Sequence, residues 1–176
     1  MTQHKEQSNM SQSTLRNFLE KVVIDVGVGR MSQQPNFEEK ALVQVMNDIA
    51  AITGQKPQVR RAKKSIAGFK IREGQIVGVK VTLRRKKMVD FFEKLVKIIL
   101  PRVRDFTGLE QRNVDRAGVL NLGLKEQAVF PEINPEKSPV SFSFGITIVP
   151  KKRKRAEAVK TYFEFGVPLK KESSKH

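Results

Sequence analysis

The side chains that most often perform covalent or acid–base chemistry are scarce in this sequence. There is no cysteine, which excludes thiol nucleophiles, disulfide frameworks and Cys-ligated zinc. The only histidines, His4 and His176, lie in the terminal segments, where neither a general base nor a His-held metal has a platform. Glu126, Glu132 and Glu136 are carboxylates of the type used in proton transfer, but they have no histidine partner and no metal-ligand spacing. Gly27-Val28-Gly29 resembles the opening of a dinucleotide fingerprint; the third glycine is absent at Ser32 and the following helix begins late. No GxxxxGK[ST] phosphate loop is present. One alternative is an RNA-processing enzyme using Lys63 or Lys64 with Glu126 to Glu136, which requires turnover to disappear when Glu126 is replaced. The main expectation is no catalysis, no cofactor and no metal.

Cations, in contrast, are abundant. Lys and Arg number 34 against 18 acids in 176 residues, a net charge of +16, an excess normally kept because an anionic partner neutralises it. Three clusters carry it. Arg60, Arg61, Lys63, Lys64, Lys70 and Arg72 surround Ser65-Ile66-Ala67-Gly68-Phe69 with no acid before Glu73. In that stretch Gly68 is expected to make the tight turn, and Ile66 or Phe69 to pack at a surface or against a nucleotide. Arg84 to Lys87 and Lys151-Lys152-Arg153-Lys154-Arg155 are the others. With one Tyr and no Trp, and phenylalanines mostly on apolar faces, stacking of single-stranded bases on a sheet is not expected. A nucleoid protein that binds duplex DNA without sequence preference shares this charge and is the second alternative.

These residues need elements to position them. Val22, Ile24, Val26 and Val28 alternate with Val23, Asp25 and Gly27, the period of a half-buried strand. Phe37, Ala41, Leu42, Val45, Met46, Ile49 and Ile52 mark an amphipathic helix that Gly54 stops. Lys56 to Ala62 reads as a short strand, and Lys63 to Gly74 as an exposed loop. Val77, Val79, Val81 and Leu83 oppose Gly78, Lys80, Thr82 and Arg84. Met88 to Ile99 forms a helix that Pro101 kinks or ends. Leu120, Leu122 and Leu124 alternate with Asn121 and Gly123. Phe142, Phe144, Ile146 and Ile148 oppose Ser141, Ser143, Gly145 and Thr147 in a strand expected over Ser141 to Ile148. A last helix runs through Ala156, Val159, Tyr162 and Phe163.

Strands with one apolar and one polar or small-residue face call for an antiparallel sheet covered on one side. The expected fold is therefore an α+β two-layer sandwich: a flexible lead-in over 1–14, a single domain over 15–169 and a basic tail over 170–176. The uncovered face would offer Lys80, Thr82, Arg84, Asn121, Gly123, Ser141, Ser143, Gly145 and Thr147, donors that a bulky anion could approach closely. The longest apolar run, Ile98-Ile99-Leu100, cannot span a bilayer and no signal peptide is recognisable, so a cytosolic location and no membrane partner are expected.

Four strings go further. ITGQKPQVRRAKKSIAGFKIREGQIVGVKVTLR (Ile52 to Arg84), EKVVIDVGVG (Glu20 to Gly29), LPRVRDFTGL (Leu100 to Leu109) and LGLKEQAVFPEI (Leu122 to Ile133) resemble, in the right order, the family of the bacterial large-subunit ribosomal protein L-five. The resemblance implies a non-catalytic structural protein of the ribosome. Its sheet would present a concave face to 5S rRNA in the central protuberance, with 23S rRNA and neighbouring ribosomal proteins as further partners. It implies 5S rRNA contacts at Asp25, Gln55 and Thr82, with Lys56, Lys80, Arg84, Asn121, Ser143 and Thr147 on the same patch. The loop with Arg61, Lys63, Lys64, Ser65, Gly68, Phe69, Lys70 and Arg72 would reach P-site tRNA and rRNA, and a bridge would touch a protein of the small-subunit head. Recognition would then use RNA shape, phosphates and 2′-hydroxyls.

Three departures from the family pattern stand out. Asp25 occupies a place where the family usually has Asn, and an ionised Asp only accepts hydrogen bonds, so it should meet a base amino group, a 2′-hydroxyl or a cation. The family's longer helical N-terminal extension has no counterpart in Met1 to Thr14, which should remove contacts without touching the sheet. Lys151, Lys152, Arg153, Lys154 and Arg155 replace an acidic Thr-rich stretch and are expected to add rRNA phosphate contacts.

Overall fold

The computed structural model describes residues 12–170; residues 1–11 of the lead-in expected over 1–14, and 171–176 of the tail expected over 170–176, lie outside the described residues. In chain order the elements are α1 (Gln12–Phe18), β1 (Leu19–Gly27), α2 (Leu42–Thr53), β2 (Gln58–Arg61), β3 (Ile76–Leu83), α3 (Arg85–Lys94), the single turn α4 (Leu100–Arg102), β4 (Leu120–Leu124), β5 (Phe144–Pro150) and α5 (Arg155–Glu164). The five strands form one antiparallel sheet in the order β2-β3-β1-β5-β4. The α+β two-layer sandwich read from the alternation is the architecture observed. Gln12 to Thr14, read as lead-in, instead begin α1, whose Leu15 is buried.

The chain divides into two compact units. In the central unit, residues 23–82 and 123–146, α2 buries Leu42, Val45, Ile49 and Ile52 and is preceded by a π-helical turn, Phe37–Ala41. Gly54 ends it as expected, at φ 64° with its N–H donating to the Ala50 carbonyl at 2.8 Å, a left-handed position that glycine takes without strain. Ile24, Val26, Val79, Val81, Leu124, Phe130, Phe142, Phe144 and Ile146 complete this core. Exposure of Asp25, Gly27 and Gly123 marks the uncovered side of the same strands.

Two expected strands are corrected here. In β3 the first inward position is Ile76, not Val77, because the pairing with β2 shifts: Arg60 faces Gly78 but Arg61 faces Ile76. Val77 is the extra residue of a β-bulge, its carbonyl accepting from the Val28 N–H at 3.0 Å. β5 begins at Phe144 instead of Ser141. The preceding backbone finds its partners elsewhere. Gln44 brackets Val140, donating from Nε2 to its carbonyl (3.0 Å) and accepting its N–H at Oε1 (3.2 Å). Gln127 donates to the same carbonyl (2.8 Å) and accepts the Phe142 N–H (3.1 Å). Two side-chain amides thus satisfy groups that a strand ladder would otherwise hold.

The terminal unit comprises, among the described residues, 12–22, 83–122 and 147–170. Here α3 continues through a π-helical turn, Leu95–Ile99, into α4. Pro101 does not end the helix at once; the wide turn precedes it, where its ring would crowd the Lys97 carbonyl and offers that carbonyl no N–H. The aromatic cluster of this unit sets Phe18 edge-on to Tyr162 (centroids 5.3 Å apart) and Phe92 edge-on to Phe165 (6.1 Å). The Tyr162 hydroxyl reaches the carbonyls of Gly118 (3.0 Å) and Ile148 (3.3 Å), and burial pushes its pKa well above the usual value. Among the described residues no helix is long and apolar enough to cross a membrane.

Candidate nucleic-acid interface

In the central unit the turn after α2 delivers Gln55 to β3. The Thr53 hydroxyl lies 2.7 Å from the Ile49 carbonyl and 3.1 Å from the Gln55 carbonyl, and accepts the Gln55 N–H at 3.3 Å. So fixed, Gln55 donates from Nε2 to the backbone carbonyl of Thr82 at 3.3 Å. Two residues 27 positions apart in sequence are thereby adjacent, both half-buried. Lys80 lies two residues before Thr82 on the same strand face, opposite Gln58 of β2, while Lys56 is exposed. Gln58 and Arg60, the residues paired with Lys80 and Gly78, join this polar group; alternation within Gln58-Val59-Arg60 was the signal for them.

A second group surrounds a shallow recess of about 440 Å3 lined by Asp25, Gly27, Gly123, Leu124, Lys125, Ser143, Phe144 and Gly145. A Cβ on Gly145 would sit 3.1 and 3.2 Å from the two Asp25 carboxylate oxygens. The carboxylate therefore lies across bare backbone, and glycine is what leaves it room. Asp25 and Ser143 are brought together at this recess. Ser143 offers a donor; Asp25 can only accept.

The stretch between β2 and β3 is exposed, as expected, but it is an ordered hairpin extension. The Ala62 N–H donates to the Gln75 carbonyl (2.8 Å) and the Gly74 N–H to the Ala62 carbonyl (2.9 Å). Ile66 and Ile71 form an antiparallel bridge, the Ser65 hydroxyl accepts the Glu73 N–H at 2.9 Å, and Arg61 donates to the Gly74 carbonyl at 2.9 Å. The tip is the short 3-10 turn Ala67–Phe69. Its left-handed residue is Lys70, at φ 53°, and not Gly68, whose backbone is ordinary and whose α-carbon faces open space. Phe69 is 72% exposed and Ile66 49%, two apolar side chains held out among Lys63, Lys64, Lys70 and Arg72. At the base, Gln75 accepts the Arg72 N–H (2.9 Å) and donates to Ser32 Oγ (2.7 Å), a brace that no local motif announced.

In the terminal unit Thr147 donates to Asn121 Oδ1 at 2.9 Å, which turns the Asn121 amide N–H groups into the free donors of the pair. Arg84 is exposed immediately before α3. The basic run is heterogeneous. Arg153 donates to Glu20 at 2.9 Å and Lys21 sits 3.3 Å from the other oxygen; hydrogen bonds from Arg153 and then Lys21 hold the Glu20 carboxyl below its ordinary value of 4.5. Lys154 pairs with Glu157 at 3.1 Å. Arg155 donates to the carbonyls of Val114 and Gln111, each at 3.2 Å, and so ties down the turn Gln111–Asn113. Lys151 and Lys152 are exposed and make no ion pair among the described residues. Glu20 escaped the sequence reading because its partner is 133 residues away.

Among the described residues no group of His, Asp or Glu could hold a metal ion. What the two units expose is a set of hydrogen-bond donors and cations on sheet and hairpin. Residues 17–72 match the family described as ribosomal protein L5, and residues 76–169 match the C-terminal part of the same family. The large ribosomal subunit protein uL5 of Chlorobaculum tepidum is 43% identical over 155 residues, 88% of this chain and 82% of its own length. The uL5 protein of Halothermothrix orenii is 46% identical over 151 residues (86% and 82%), and that of Fusobacterium nucleatum 44% over 153 (87% and 81%). By class, then, this is a ribosomal protein, and its relatives carry the names of ribosomal components, not of enzymes. The chain belongs to the ribosomal protein L5 family.

Proposed function

We propose that this protein is a structural component of the large ribosomal subunit, in the cytoplasm, that binds 5S rRNA through its polar sheet residues. Gln55 and Thr82 form the centre of that contact, with Lys56, Lys80 and Arg84 supplying phosphate contacts. Asn121 and Thr147 act as a preset donor–acceptor pair, and Ser143 and Asp25 meet base amino groups or 2′-hydroxyls. The basic hairpin tip, with Phe69 and Ile66 outermost, reaches P-site tRNA and rRNA. Lys151 and Lys152 contribute phosphate contacts to 23S rRNA, and neighbouring ribosomal proteins, including one of the small-subunit head, complete the bridge. Residues 15–169 act as one RNA-binding body in this reading.

The observation that carries it is the pairing of Gln55 with the Thr82 carbonyl at 3.3 Å beside Lys80, in a chain of the L5 family. The free energy comes from phosphate neutralisation with counterion release, and specificity from polar contacts with the RNA surface. Replacing both side chains, Gln55→Ala with Thr82→Ala, should weaken 5S rRNA binding by about 1 to 3 kcal/mol for each hydrogen bond to RNA that is removed, with little change in the urea midpoint. Unchanged affinity in that double variant would move the RNA off this patch.

A further inference from the structure

The cluster Arg84 to Lys87 and helix α1 are largely left over by the function above, and they meet at one place. Gln12, Ser13, Arg16 and Asn17 of α1 and Lys86 and Val89 of α3 line a recess of about 500 Å3 in the terminal unit. The spacing is that of two facing helix stripes: 12, 13, 16 and 17 on one, 86 and 89 on the other. Val89 is buried and forms the floor, while Ser13, Arg16 and Lys86 are exposed. No carboxylate is among the lining residues. Glu93 of α3 is already engaged, accepting from Gln12 at 3.2 Å and pairing with Lys97 at 3.7 Å. Asp90, one turn beyond Lys86, does not line the recess and forms no ion pair among the described residues.

We infer that this recess is a second RNA-binding site, which takes phosphates of a double-stranded RNA backbone. Arg16 lines the recess from α1 and Lys86 from α3, so cations on both helices can meet a phosphodiester, and the Asn17 side chain adds a neutral contact of the kind that positions a backbone without reading sequence. Arg85 and Lys87 extend the positive field along the neighbouring turn. Gln12, Ser13 and Arg16 precede the family-matched segment, which starts at residue 17. The inference rests on the RNA-binding reading above but uses none of its residues.

The test is a titration of the isotopically labelled full chain with a short blunt RNA duplex, followed by the backbone resonances. Shifts at Ser13, Arg16, Asn17, Lys86 and Val89 are expected. In the double variant Arg16→Gln with Lys86→Gln those shifts should vanish and the slope of log affinity against log salt should fall by about 1 to 2, while 5S rRNA affinity through Gln55 and Thr82 stays selective. Both substitutions are on exposed side chains, and an unchanged thermal midpoint checks the fold. Intact 5S rRNA binding with a silent recess would overturn this inference alone. Absence of binding to duplex and to 5S rRNA would overturn the RNA-binding reading with it.

Discussion

Glu20 shows how one half-buried acid can take a cation out of a basic run. Held by Arg153 and Lys21, its carboxyl titrates below 4.5, so its stabilising share is complete above that ordinary value and is lost as pH falls through the lowered one. Urea unfolding followed from pH 6 down to pH 3 should therefore show a slightly steeper acid-side loss in the wild type than in Glu20→Gln. The same variant frees Arg153 and Lys21 for phosphate, and the salt dependence of RNA binding should become steeper by up to about one counterion. At this scale the sequence was informative where a residue's meaning is local. The glycine at 145 and the acid at 25 were both visible, but that one leaves space for the other is a cross-strand fact that spacing along the chain does not contain. Arg155 is similar: it belongs to a cationic run, yet its guanidinium serves two carbonyls.

Elements were legible wherever a repeating pattern faces a core. The inward residues of β1 and β4 and the buried stripe of α2 follow directly from periods of two and 3.6, and Gly54 ends α2 as its type demands. Patterns failed where distant side chains replaced the regular partner. Phe142 keeps the alternation, but Gln44 and Gln127 hold the backbone around it and postpone β5 by three residues. The hairpin beyond β2 has almost no apolar alternation, and its order comes from backbone pairing and from Ser65 and Gln75. The close approach of Gly118 to α5 was equally hidden: a Cβ there would meet the Ala158 Cβ at 2.7 Å, at φ 78°. Gly118→Ala should accordingly cost about 1 to 3 kcal/mol in chemical denaturation, without altering 5S rRNA recognition by the folded fraction. A loss near zero would mean that α5 shifts freely at that contact.

For the whole molecule the decisive quantity is charge. An excess of +16 guarantees attraction to any polyanion, so affinity alone carries no information about which one is meant. In the proposed function selectivity comes from the polar sheet residues, through contacts that would depend on RNA shape and 2′-hydroxyls and be screened far less by salt. The most direct measurement is a salt titration of affinity for 5S rRNA against tRNA and duplex DNA of matched length. 5S rRNA should remain bound at physiological salt after the other two have dissociated, and this preference should shrink when Gln55 and Thr82 are both replaced by alanine. Equal affinities for all three, falling together along one steep salt slope, would contradict it and leave a nonspecific nucleic-acid binder.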